Sequence, residues 1–291
     1  MTFAEKLRES RKKAGLSQEE LAEKLNVSRQ AITKWETEKG IPDISNLMTI
    51  SNLFGIAVDD FISEEKTGAI AKSRLYESIT EYDIDGKKDF DIKLGSAKSI
   101  TVKGGCDEKI KVVISSDSFS EIQQSFKTKI DDGRNNIDID VNKAKSVSEM
   151  LAKEEIYIDV ILPEKFIDRV EIDASCEKLF LSGIECSNME FDGRTKFLDV
   201  DGISSVVEID CNLDMDIEVH SLKGSLELNQ VKATSILRVT KDFEFKAKTK
   251  GLGNSIIFEE YGTMKDDFSN PESENTIELN GMKSELKIIR E

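Results

Sequence analysis

Proline is scarce in this chain, with three in 291 residues, and there is one histidine, one tryptophan and four cysteines. Cys106, Cys176, Cys186 and Cys211 form no C-x-x-C pair. Neither a disulfide framework nor a zinc ribbon is expected, and we read them as small buried apolar residues in a reducing compartment. His220 has no partners readable as a catalytic triad and is taken as a turn or surface residue. Apolar runs such as Val160 to Leu162 fall far short of the ~20 residues that cross a bilayer. The opening MTFAEKLRES has no apolar signal core, so a cytoplasmic protein without membrane contact is expected. Calcium-binding nonapeptides and glycine-rich phosphate loops are also missing. No catalytic residue, no metal and no cofactor is expected.

What is abundant is acid. Asp and Glu number 57 against 41 Lys and Arg, a net charge of −16, and a field of that sign repels nucleic acid and anionic membranes. The charge is unevenly placed. Residues 1–62 carry nine basic and ten acidic side chains, net −1, and by subtraction residues 63–291 carry 32 and 47, net −15. Only the second part is closed to a polyanion. The pattern changes at the same point, from helical periods to short alternating strands. We therefore expect an α + β multidomain chain: an all-α five-helix domain over 1–62, a linker over 63–88 and an all-β domain over 89–291. In the linker Ile70, Leu75 and Ile79 are too sparse for a core, and part of it is read as helical.

In the first segment Phe3, Leu7 and Ala14 mark one stripe of a helix that ends before Gly15. Ser17 and Glu20 form an S-x-x-E capping box for a second helix, whose buried stripe is Leu21, Ala22 and Leu25. After Asn26 and Val27, Ser28 caps a third helix running to about Lys39, which makes a helix-turn-helix. Pro42 and Asp43 open a fourth, with Ile44, Leu47, Met48, Ile50, Leu53 and Phe54 facing inward and Gly55 closing it. Val58, Phe61 and Ile62 supply a short fifth.

On the third helix, at ~100° per residue from Arg29, Thr33 falls near 40°, Gln30 near 100° and Lys34 near 140°, while Ala31, Trp35 and Ile32 lie near 200°, 240° and 300°. The polar arc carries side chains suited to base edges: Arg and Lys to guanine, Gln to adenine, the Thr methyl to thymine. Gln18 and the helix-start amides beside it are placed to hold a phosphate.

These residues, LRESRKKAGLSQEELAEKLNVSRQAITKWETEKGIPDISNLMTISNLFGIAVDDFI, resemble the XRE (Cro/cI-type) family of bacterial and phage DNA-binding domains over nearly all of 3–62. The resemblance implies that the helix beginning at Ser28 is the recognition helix. It implies base or phosphate contacts from Ser28, Arg29, Gln30, Thr33 and Lys34, with Gln18 on the backbone. It makes Trp35 a core aromatic or a backbone contact. It further implies pseudo-palindromic double-stranded operators, a homodimer and a chain that is not an enzyme. Thr37 to Lys39 departs from the shorter E-N-G ending of many members.

The second part repeats. Leu179, Leu181 and Ile184 recur nineteen positions later as Leu198, Val200 and Ile203, and again as Ile217, Val219 and Leu222. Val170 and Ile172 continue as Met189 and Phe191, Val207 and Ile209, Leu226 and Leu228, and then Phe245 and Ala247. Upstream, Val160 and Leu162 match Leu179 and Leu181. Ser182-Gly183, Asp201-Gly202 and Lys223-Gly224 mark turns. Such units bury their apolar rows only by stacking, so a right-handed β-solenoid with two strands per rung is expected, regular over about 158–247. The strands of residues 90–141 break the period and are read as an irregular cap, with a hairpin at Asp131 to Arg134; Lys143 to Glu155 is a short helix or a loop. This part resembles the adhesin-like solenoid domains of bacterial proteins, a resemblance that names no ligand.

Asp192, Asp199, Asp201, Asp210, Asp214 and Asp216 raise the question of a carbohydrate-cleaving pair. No aromatic or basic sugar platform accompanies them, and alternation places Asp199 and Asp210 outward, as solvated positions. The leading expectation is a sequence-specific transcriptional regulator whose solenoid dimerises, senses a ligand or recruits a protein. The rival is an interaction or stress adaptor working through the solenoid.

Overall fold

A computed structural model of the chain describes residues 3–13, 16–25, 27–37, 40, 42–54 and 74–290, in two units, residues 1–69 and 70–291. In the first unit four helices lie among the described residues: α1 (Phe3–Lys13), α2 (Gln18–Leu25), α3 (Arg29–Glu36) and α4 (Ile44–Phe54). Side-chain caps start α2, α3 and α4. Ser17 Oγ accepts from the Glu20 amide at 3.2 Å while Glu20 Oε2 accepts from the Ser17 amide at 2.7 Å, the reciprocal box expected from the sequence. Ser28 Oγ accepts from the Ala31 amide at 3.2 Å, and Asp43 Oδ1 from the Asn46 amide at 2.8 Å. Leu7, Leu21, Ala22, Leu25, Ile32, Trp35 and Ile50 make the core, so Trp35 is a core aromatic. Met48 and Leu53, expected inside, are exposed; among the described side chains of α4, Leu47 and Ile50 are buried. The fifth element at Val58 to Ile62, and Ala14, Gly15, Asn26, Lys39, Ile41 and Gly55, lie outside the described residues.

The second unit is built on one large sheet. Its strands are β1 (Tyr76–Asp83), β2 (Lys88–Gly105), β3 (Lys109–Ser116), β4 (Phe126–Asp132), β5 (Asn136–Lys143), β6 (Tyr157–Pro163), β7 (Ile167–Ser182) and β8 (Glu185–Arg194). They continue as β9 (Phe197–Asp210), β10 (Asp216–Val231), β11 (Thr234–Val239), β12 (Lys246–Thr249), β13 (Ser255–Glu260), β14 (Thr263–Lys265), β15 (Thr276–Met282) and β16 (Glu285–Arg290). Two short helices, α5 (Ile122–Ser125) and α6 (Glu149–Glu155), accompany them; Ser148 Oγ caps α6 by accepting from the Leu151 amide at 3.1 Å.

The repeat read from the sequence becomes register. Leu179 pairs with Leu198 and Leu198 with Ile217 in one parallel ladder. Val170 pairs with Met189, Met189 with Val207 and Val207 with Leu226 in another. All of these are buried, so each apolar row continues from strand to strand. Gly183 and Gly202, at the expected turns, have φ of +61° and +66°, which favours glycine.

Both ends of the ladders depart from the period. Leu226 and Leu228 do not meet Phe245 and Ala247 next; they pair with Ile277 and Leu279 of β15, which in turn separates β10 from β12. Likewise β16 lies between β11 and β13. Upstream, Val160 does not line up with Leu179 as expected: β2 is inserted between β6 and β7, with Val102 between Val160 and Leu181 and Ile100 between Ile158 and Leu179. Residues 88–105 are therefore an integral strand rather than part of a cap. Sequence neighbours compete with distant strands for the same apolar edge, and here the distant strands hold it. The hairpin is present, β4 pairing antiparallel with β5 through Gly133, whose amide donates to Asn136 O at 2.8 Å.

The stretch read as linker needs correction. Residues 76–83 form β1, antiparallel to β3 throughout. Its sequence signal is inverted, since Leu75 and Ile79 face outward while Tyr76, Ser78, Thr80 and Tyr82 are half-buried. Among the described residues no helix is long and apolar enough to cross a membrane.

Candidate nucleic-acid interface

The caps and core of the first unit orient α3. Ile32 and Trp35 point into the core, which leaves Arg29, Gln30, Thr33 and Lys34 exposed on one face, with Ser28 exposed at its start. The arc derived from ~100° per residue is thus present as a surface. Its charge is basic but tempered: Arg29 Nη1 lies 3.6 Å from Glu19 Oε2, and both side chains are largely in solvent, where such a pair is worth little.

Gln18, the first residue of α2, is tied to this face. Its Nε2 donates to Glu36 Oε2 at 2.8 Å, and Thr33 Oγ1 lies 3.3 Å from its Oε1. Glu36 is only 3% exposed. Arg11 donates to it through Nε at 2.6 Å and Nη2 at 2.9 Å, and Arg8 Nη2 donates to its backbone oxygen at 3.3 Å. Burial pushes the Glu36 carboxyl up, but the hydrogen bonds from Arg11 and Gln18 and the charges of Arg11 and Arg8 outweigh it and hold it below its ordinary range. The network joins α1, α2 and α3, and it neutralises the acid of the α3 sequence inside the protein. Sequence reading missed this link, because 25 residues separate Arg11 from Glu36 and no local pattern marks the pair.

The aspartates considered for catalysis differ in their surroundings. Asp192 and Asp210 face each other on adjacent strands, Asp214 accepts from the Thr234 amide at 2.7 Å, and Asp216 pairs with Arg238. Asp199, expected in solvent, is 8% exposed, because His220 lies against it. The cysteines also divide: Cys176 and Cys211 are buried as expected, Cys186 is half-buried, and Cys106 is exposed.

A helix-turn-helix family model matches residues 7–61. The chain is 44% identical over 73 residues, a quarter of its length, to the HTH-type transcriptional activator BcrR of Enterococcus faecalis, of which the match spans only 36%. It is 30% identical over 94 residues to the HTH-type transcriptional regulator ImmR of Bacillus subtilis, covering 32% of this chain and 74% of that one. Among solved structures, an adhesin-like protein of Bacteroides fragilis aligns with 75% of this chain and 98% of its own at 11% identity and a TM-score of 0.35. A cell-adhesion-type protein of Clostridium sporogenes aligns with 74% and 99% at 15% identity and a TM-score of 0.31.

Proposed function

This chain belongs to the XRE-type helix-turn-helix family of transcriptional regulators, and we propose that it binds operator DNA sequence-specifically as a homodimer from the cytoplasm. The observation that carries the reading is the exposed row of Arg29, Gln30, Thr33 and Lys34 on a capped second helix of the motif. In this reading those four side chains meet base edges in the major groove, while Gln18, Ser28 and the neighbouring amides hold phosphates. A homodimer would place two such helices in half-sites about 34 Å apart.

We read the second unit as a solenoid of two strands per rung, supported by the nineteen-residue register of its parallel ladders. Its role is dimerisation, sensing of a ligand or recruitment of a protein, and its acidity keeps it off DNA. No catalytic residue enters the reading.

Titration of full-length protein into labelled DNA selected from genomic fragments tests it. Arg29→Ala with Lys34→Ala should abolish specific retention and flatten the salt dependence. Binding as tight as that of the unaltered protein would show the recognition helix to be wrongly assigned, and a strict monomer with and without DNA would sink the dimer.

A further inference from the structure

Asp199 on β9 and Glu218 on β10 are one repeat apart and stand opposite each other in the parallel ladder. Alternation would send both to the outer surface, where Phe180 of β7 occupies the place on the other side of Asp199. Between Val219 and Leu222 the register slips and recovers: Val219 pairs with Val200, Ser221 with Asp201 and Leu222 with Ile203, so that His220 bulges from β10 and Gly202 from β9. A bulge re-aims the side chain it carries. Here it lays the only histidine of the chain against Asp199, with Nε2 2.9 Å from Asp199 Oδ2 and 3.7 Å from Glu218 Oε2.

One donor atom from each of the three side chains lies within 4.8 Å of the other two. A metal held ~2.0–2.2 Å from nitrogen and oxygen ligands sets those ligands about 3–3.5 Å apart, so the spacing is already close to that of a coordination sphere. Asp199 is 8% exposed, while Glu218 and His220 border an open hollow of ≈ 220 Å³ shared with Arg238 and Thr240. One side of the cluster is thus closed by protein and the other has room for water. Arg238, opposite Glu218 on β11, is engaged by Asp216.

We propose that Asp199, Glu218 and His220 form a binding site for a divalent first-row transition metal, with Zn²⁺ the ion that fits an imidazole and two carboxylates. The imidazole nitrogen selects against Ca²⁺ and Mg²⁺, which take oxygen ligands. The sequence alone suggested no metal, because 199, 218 and 220 meet only through the register of two strands and one bulge. The site does not depend on the DNA-binding reading, and its test needs no DNA.

Full-length protein stripped with a chelator is titrated with Zn²⁺ by calorimetry and with Co²⁺ by visible absorption. One equivalent should bind, with a cobalt ligand-field band and no sulfur charge-transfer band. His220→Ala and Glu218→Gln, both at half-exposed positions, should each weaken Zn²⁺ by at least about tenfold while leaving the circular dichroism spectrum unchanged. Asp199→Asn is a third probe, and where it disturbs the fold the other two decide. Absence of binding, unchanged affinity in His220→Ala, or loss of the metal only on Cys106→Ser would overturn the proposal.

Discussion

Arg11 and Glu36 form a two-pronged ion pair, Nε to Oε1 at 2.6 Å and Nη2 to Oε2 at 2.9 Å, with both side chains largely withdrawn from solvent. Arg11 also donates through Nη1 to Leu16 O at 2.8 Å, so one guanidinium joins the end of α3 to the chain leading into α2. The exposed face of Arg29, Gln30, Thr33 and Lys34 therefore rests on a charge pair that it does not display.

Removing one partner leaves the other charge buried. Arg11→Met should cost the first unit on the order of 3 kcal/mol, and Arg11→Met with Glu36→Leu should recover most of it, because the buried orphan is gone. Trp35 is the only tryptophan and belongs to this core, so its fluorescence in a denaturant series reports on the first unit alone. Equal losses in the single and double variants would refute the account.

The same pair sets an acid limit. The carboxyl of Glu36 is held below its ordinary value in the folded chain. Its stabilisation is therefore present above the unfolded carboxylate value of about 4.3 and is lost as pH falls through the lower folded value. The Trp35 transition should weaken over that window, and the Glu36→Gln protein, already less stable, should lack this component.

Glu208 has the opposite sign. Burial, then the charges of Glu227, Glu190 and Asp210 on its own and adjacent strands, push its carboxyl up. The ionised group thus costs stability above its folded value, and the cost is relieved as pH falls through it. Glu208→Gln should raise the melting temperature of the β unit at pH ~7, with the gain shrinking in high salt and at pH ~4, below the unfolded carboxylate value of about 4.3. Circular dichroism melts at the two pH values decide this.

Thiol chemistry separates the cysteines. Cys106 is exposed, while burial pushes the Cys176 thiol up to about 12 and raises that of Cys186 as well. Native protein at neutral pH should show one fast-reacting thiol with a disulfide reagent, lost in Cys106→Ser, and all four on unfolding.

The C-terminal strands are tested by their removal. Ile277 and Leu279 continue one apolar row and Leu286 and Ile288 the other, all fully buried. At about 1.5–3 kcal/mol for each such side chain, a chain ending at residue 275 loses enough to unseat its last strands. It should elute as aggregate in size-exclusion chromatography.

Much of the first unit was legible in the sequence. Caps act within four residues, and an apolar stripe obeys a fixed angle, so Ser17, Glu20, Ser28 and the arc of Arg29, Gln30, Thr33 and Lys34 were readable without coordinates. The stacking of Leu179, Leu198 and Ile217 was readable too, because a constant repeat length is itself a register. Three things were left to tertiary structure. Arg11 finds Glu36 across 25 residues, β2 and β15 enter between strands that are near in sequence, and His220 turns toward Asp199 through one extra residue in β10. Each depends on which distant groups reach a place first filled by local rules. Local periodicity determines what a segment buries, but the partner across the gap is selected by competition among all the apolar edges and charges of the folded chain.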